Sequence, residues 1–137
     1  MNIKGRVRNL TKKWGTKNPY KLAKYLKIEI LYMDLGKMKG IYKKTLTNKF
    51  IIINENLSEF CQMVVLAHEL GHALLHHSKE IQTLKDYDLF PKYTNQMEME
   101  ANAFAAELLY DENTDDYEYK LDIDIIILEQ LKKMKEL

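Results

Sequence analysis

Cysteine is almost missing from this chain, with Cys61 alone among 137 residues. An intrachain disulfide is therefore impossible, and a metal centre built on several thiolates is excluded. Cys61 has the chemistry of a nucleophile, but its position in a helical pattern suits a small buried side chain. Arginine is limited to Arg6 and Arg8, so the usual reader of guanine edges is scarce. Long apolar runs are also lacking. The longest, Met63 to Ala67, falls far below the roughly 18 residues needed to span a bilayer. Basic residues near the N-terminus have no apolar segment behind them, so no secretory signal is visible and a cytoplasmic location is expected. No internal repeat or low-complexity tract is present.

What remains is ordinary for a soluble globular chain: 46% hydrophobic and 30% charged residues, with a net charge of +1. The length suits one domain spanning 1–137. Charge is unevenly spread. Met1 to Lys27 holds nine Lys and Arg residues and no Asp or Glu. Asp111 to Asp122 reverses this, with Asp111, Glu112, Asp115, Asp116, Glu118 and Asp122 set against Lys120. A basic face could meet nucleic acid or an acidic partner, although such runs are more often solvated surface.

Periodicity outlines the elements. Val7, Leu10, Thr11 and Trp14 recur at helical spacing and predict a helix over 3–14, stopped by Gly15. Asn18-Pro19 opens a second short helix carrying Leu22, Ala23 and Leu26. Residues 28–33 alternate as a strand. Gly40-Ile41-Tyr42 and 49–54 predict two more, and the run Phe50 to Ile53 suits a buried one. The expectation is an α+β fold with a small three-stranded antiparallel sheet. Asn56 with Glu59 offers a capping box for a central helix reaching about His77, with Phe60, Val64, Ala67, Leu70, Gly71 and Leu74 as its buried stripe. A polar connection containing Pro91 leads to a helix over 96–110, with Met99, Ala103, Ala106 and Tyr110 on one face. A last helix over 123–137 buries Ile127, Leu128, Leu131 and Met134.

The chemistry lies on the central helix, where residues 68–72 read His-Glu-Leu-Gly-His. Residues four apart share a helical face, so His68 and His72 can reach one ion. Neutral imidazole binds zinc well. Glu69 projects beside that face. It can take a proton from a metal-bound water without ligating the metal, and the resulting hydroxide attacks a polarised carbonyl. The motif is a hypothesis by itself, and its mid-helix placement strengthens it. Gly71 and Ala73 are small enough to let a neighbouring element approach.

A catalytic centre needs a third protein ligand and one open position. Glu98, Glu100 and Glu107 are available. Glu98 and Asn102 lie four apart, so one can bind the ion while the other holds the free nitrogen of a ligating histidine. Glu100 sits about 200° around the helix from Glu98, so only one of the two can face the ion, and the Asn102 pairing favours Glu98. His76 continues the series from His72, but each such step drifts by about 40°. It is expected to line the cleft or close the helix end. Tyr93, His76 and Tyr42 are candidates for stabilising an oxyanion, and the sequence leaves the choice open.

Several segments together resemble the ImmA/IrrE family of metallopeptidases. They are Asn-Pro-Tyr-Lys-Leu-Ala at 18–23, Gly40-Ile41-Tyr42, Ile52 to Leu57, Ala67 to His76, and the Glu-x-Glu-Ala-Asn-x-Phe-Ala-Ala-Glu-Leu-Leu run from Glu98 to Leu109. The resemblance runs from about Asn18 to Tyr110. It implies a zincin-like domain with one zinc ion on His68, His72 and Glu98, Glu69 as catalytic base, and a protein substrate. Family members often lie beside a helix-turn-helix repressor in phage or mobile-element regions, and some cut it. A transcriptional repressor is thus the implied partner, with no membrane role and at most an indirect one with nucleic acid. The chain departs from the family at Tyr110-Asp111, where Met-Pro is common, and its C-terminal helix is short beside larger members.

Two readings follow. One is a zinc endopeptidase of narrow specificity. The other is a non-catalytic, zinc-stabilised module that binds a repressor or DNA, supported by the basic N-terminal helix. The same ligands would also accept manganese or iron.

Overall fold

A computed structural model describes residues 1–76, 82–84, 96–111 and 122–136. Its centre is a helix, α3 (Glu59–Leu75), buried on all sides from Val64 to His72. Ser58 caps it, with its hydroxyl accepting the Cys61 N–H at 3.1 Å. The start thus falls two residues beyond the expected Asn56. Asn54, Glu55 and Asn56 are drawn instead into the turn leaving the preceding strand. The Ser58 hydroxyl also donates to Asp124 at 2.6 Å, which ties the last helix to the start of α3.

Around α3 lie α1 (Ile3–Trp14), α2 (Pro19–Tyr25), α4 (Gln96–Leu109) and α5 (Asp122–Glu136). The first two match the sequence expectation for clear reasons. Gly15 ends α1 in the left-handed conformation at φ 69°, where glycine carries no steric cost. Asn18 caps α2 by accepting the Tyr20 N–H at 2.9 Å, with Pro19 at the first helical position. One hydrophobic cluster joins Val7, Leu22, Ile51, Ile53, Val64, Phe104 and Leu131 across these layers.

The sheet corrects the expected topology. Its strands β1 (Ile28–Met33), β2 (Gly40–Lys44), β3 (Lys49–Asn54) and β4 (Gln82–Leu84) lie in the order β1-β3-β2-β4. β2 pairs antiparallel with β3 and β4, but β1 runs parallel to β3, with Ile30 opposite Ile51. The sheet is therefore mixed and four-stranded. The hairpin from β2 folds β3 back between β1 and β2, so the β1–β3 connection contains β2 and is long enough for a parallel pair. Buried Asn54 secures that crossing. Its side-chain amide donates to the carbonyls of Gly36 at 3.0 Å and Met38 at 2.8 Å. Ile51 and Ile53 point into the core. β4 falls within the polar connection between the central helix and α4.

The face of α4 also differs. Met99, expected inside, is 59% exposed, while Ala101, Phe104, Ala105 and Leu108 are buried. The reason is the closeness of α3. A Cβ on Gly71 would lie 3.1 Å from the Ala101 Cα and 3.2 Å from the Ala101 carbonyl oxygen. Only small residues allow this approach, so alanines face α3 and Met99 turns outward. α5 buries Ile127, Leu128 and Leu131 as expected. Among the described residues, no helix is long and apolar enough to cross a membrane.

A large side chain at position 71 must push α4 away. Gly71→Leu should destabilise the protein by about 1–3 kcal/mol, the usual cost of overpacking. Urea unfolding measures this, and an unchanged midpoint would show that α4 does not pack there.

Candidate metal centre

α3 carries His68 and His72 one turn apart, and each is about 1% exposed. The first turn of α4 presents Glu98 to both. His68 Nε2 lies 3.0 Å from Glu98 Oε2, and His72 Nε2 lies 2.8 Å from Glu98 Oε1. The two Nε2 atoms are 3.1 Å apart. One donor atom from each residue falls within 4.8 Å of the others, and this trio is the only such group of metal-ligating side chains among the described residues.

A divalent ion fits this set. Tetrahedral zinc at about 2.0–2.1 Å from each ligand separates those ligands by about 3.4 Å. The observed separations fall roughly half an ångström short of that, within reach of a small side-chain shift. Two imidazoles and one carboxylate form the donor set of a catalytic zinc site. His68 Nδ1 and both oxygens of Glu69 are also buried without hydrogen-bond partners. Such orphaned groups are rare in native proteins and point to a missing ion or water.

The two carboxylates are driven in opposite directions. Glu69 is fully buried. Desolvation raises its pKa well above the ordinary value, the Glu98 charge adds to the rise, and the Tyr42 backbone amide opposes it without closing a hydrogen bond. Burial also acts to raise Glu98, but the bonds from His68 and His72 outweigh it and bring the pKa down to about 2. β2 reaches this site because Gly40 lacks a side chain. A Cβ there would lie 2.4 Å from Val65 Cγ1 and 3.7 Å from Glu69 Cγ.

Other candidates are placed differently from expectation. Asn102 is buried, but its Oδ1 has no partner, so it does not hold a ligating histidine. Ala101 and Ala105 take the face toward α3, which turns Asn102 to a groove lined by Ile3, Met99 and Met134. Glu107 lines the same groove, away from the donors. His76 caps α3 and closes the helix end as expected, with its backbone N–H donating to the His72 carbonyl at 3.0 Å. Its ring also meets His72, Nδ1 to Nδ1 at 3.0 Å, and Glu100, Nε2 to Oε1 at 3.1 Å. Glu100 thus faces His76 and not the three donors, as its rotation around α4 from Glu98 requires. The available signal was that His72 needs a partner for its second nitrogen. Tyr42 belongs to the core cluster, and burial raises the pKa of its phenol. Tyr93 lies outside the described residues.

A buried His-Glu-x-x-His helix facing a carboxylate from a second helix, beside a small mixed sheet, defines a zincin-like metallopeptidase. The chain belongs to the peptidase M78 family. Residues 23–128 match its model, described as the IrrE N-terminal-like domain. The chain is 43% identical over 108 residues to the uncharacterized immunity region protein 2 of Bacillus phage phi105, covering 78% of this chain and 67% of the phage protein. It is 38% identical over 109 residues to metallopeptidase ImmA of Bacillus subtilis strain 168, covering 78% and 62%. The matched region spans about two thirds of these curated relatives. No solved structure gives a significant match.

Cys61, the other residue with nucleophilic chemistry, is 3% exposed. Burial raises its thiol pKa, the Ser58 bond lowers it, and Asp124 raises it further. Little thiolate forms near neutral pH. Iodoacetamide at pH 8 should alkylate native Cys61 at least about tenfold more slowly than the urea-unfolded chain. Equal rates, followed by mass spectrometry, would place the thiol in an accessible site.

Proposed function

We propose that the protein is a zinc-dependent endopeptidase of narrow specificity that cleaves a helix-turn-helix transcriptional repressor of a phage or mobile element. One observation carries the reading: beside a three-donor centre stands a wholly buried carboxyl group, Glu69, with neither oxygen committed to another residue. A structural zinc site is closed by four protein ligands, whereas a catalytic one leaves a position open. Three donors with an uncommitted acid beside them favour catalysis over a zinc-stabilised binding module.

His68, His72 and Glu98 would hold the ion. When bound, it supplies a Lewis acid that polarises the scissile carbonyl and acidifies a water. The chain's own residues do the rest. Glu98 stays ionised throughout the neutral range, the form a ligand requires. Glu69, wholly buried beside the three donors, would take the proton from the attacking water and return it to the leaving amine. The repressor substrate is supported by the name of the phage relative, which refers to an immunity region. Such a substrate would place the reaction in the cytoplasm.

Glu69→Gln should keep one zinc per chain by elemental analysis. It should also lower cleavage of a purified helix-turn-helix repressor from the same phage or element by about 10²–10⁴-fold, the range for a lost acid–base group. Wild-type cleavage by this variant would overturn the mechanism.

A further inference from the structure

The two motif histidines differ in their second ring nitrogen. His68 Nδ1 is buried and unpartnered. His72 Nδ1 begins a chain of contacts, 3.0 Å to His76 Nδ1 and then 3.1 Å from His76 Nε2 to Glu100 Oε1. The chain is sheltered, with side-chain exposures of 1% at His72, 7% at His76 and 17% at Glu100.

Between His72, His76 and an ionised Glu100, only one proton arrangement satisfies both links with neutral rings. A carboxylate only accepts, so His76 must donate from Nε2 to Glu100. His76 Nδ1 is then a bare acceptor. It can accept only from a protonated His72 Nδ1, and in a neutral ring this leaves Nε2 bare, the form that suits an ion held between it and the Glu98 carboxylate 2.8 Å away. Reversing any link puts two lone pairs or two hydrogens against each other.

We propose that Glu100 and His76 are positioning residues: a two-residue relay that holds His72 as the Nδ1–H tautomer with Nε2 aimed at the metal. The proposal rests on the metal centre formed by His68, His72 and Glu98. Helix geometry explains why the relay belongs to His72 alone. α3 ends at Leu75, so His76 departs from the helix and bends across the neighbouring ring. Glu100 meets it from the flank of α4 that Glu98 does not use. Carboxylate–histidine–zinc links of this kind fix ring orientation, and their loss commonly weakens metal binding by about 10–100-fold.

The test measures zinc affinity by competition with a chromophoric chelator for the wild type, Glu100→Ala, Glu100→Gln and His76→Phe. It is joined by ¹⁵N NMR of the histidine rings in zinc-loaded wild type. We expect Glu100→Ala and His76→Phe to bind zinc about 10–100-fold more weakly. Glu100→Gln, whose amide oxygen still accepts from His76, should restore most of that loss. Metal-free melting temperatures should stay unchanged, and zinc-loaded His72 should carry its proton on Nδ1. Wild-type affinity in Glu100→Ala, equal weakness in Gln and Ala, or a zinc-loaded His72 with no proton on Nδ1 would each overturn the relay while leaving the centre intact. A wild type that binds no zinc would overturn the centre and the relay together.

Discussion

A helix cannot normally lie against another with backbone almost touching backbone, yet α3 and α4 meet in this way where Gly71 faces Ala101. The approach is possible because neither position carries bulk. It fixes the rest of the site. Gly71 sits between the two histidines of α3 in the sequence, so the contact point is also the level of the donors. With α4 held there, Glu98 in its first turn reaches both rings. On the other flank, Gly40 lets β2 approach α3 beside Glu69. Two residues without side chains therefore bring helix and sheet against the His-Glu-x-x-His segment from two sides.

This closeness has an energetic cost. His68, Glu69 and His72 are polar groups in the interior of the protein, and several of their atoms have no hydrogen-bond partner. An unsatisfied buried group costs about 1–3 kcal/mol. The surrounding core, from Leu22 through Ile53 and Leu66 to Leu131, supplies the hydrophobic burial that tolerates it. A bound ion would satisfy the converging donors, so metal binding and folding draw on the same free energy. The arrangement sacrifices local stability for a prepared site, as functional centres often do.

Local chemistry was legible in the sequence where a residue's role depends on its near neighbours. Gly15 as a stop, Asn18-Pro19 as a start, and His68 and His72 one turn apart all follow from spacing alone. The buried face of α5 was equally readable from its period. Long-range choices were not. The parallel pairing of β1 with β3 depends on how the hairpin folds back and on Asn54 bridging a loop far away in sequence. Met99 was expected inside because its helical period allowed it, but contact with Gly71 chose the alanine face. Ser58 displaced Asn56 as the cap because a distant residue, Asp124, engages its hydroxyl. Glu98 was separable from Glu100 by rotation about the helix. The pairing of Glu100 with His76 was hidden, because it depends on the point at which α3 ends.

Zinc-edge anomalous diffraction from crystals of the zinc-loaded protein tests the central claim most directly. The account predicts a single strong peak within about 2.2 Å of His68 Nε2, His72 Nε2 and one Glu98 oxygen, with Glu69 close by but not bound to the ion. A peak on other residues, or coordination completed by a fourth protein ligand such as Glu69 or His76, would contradict a catalytic centre of this design.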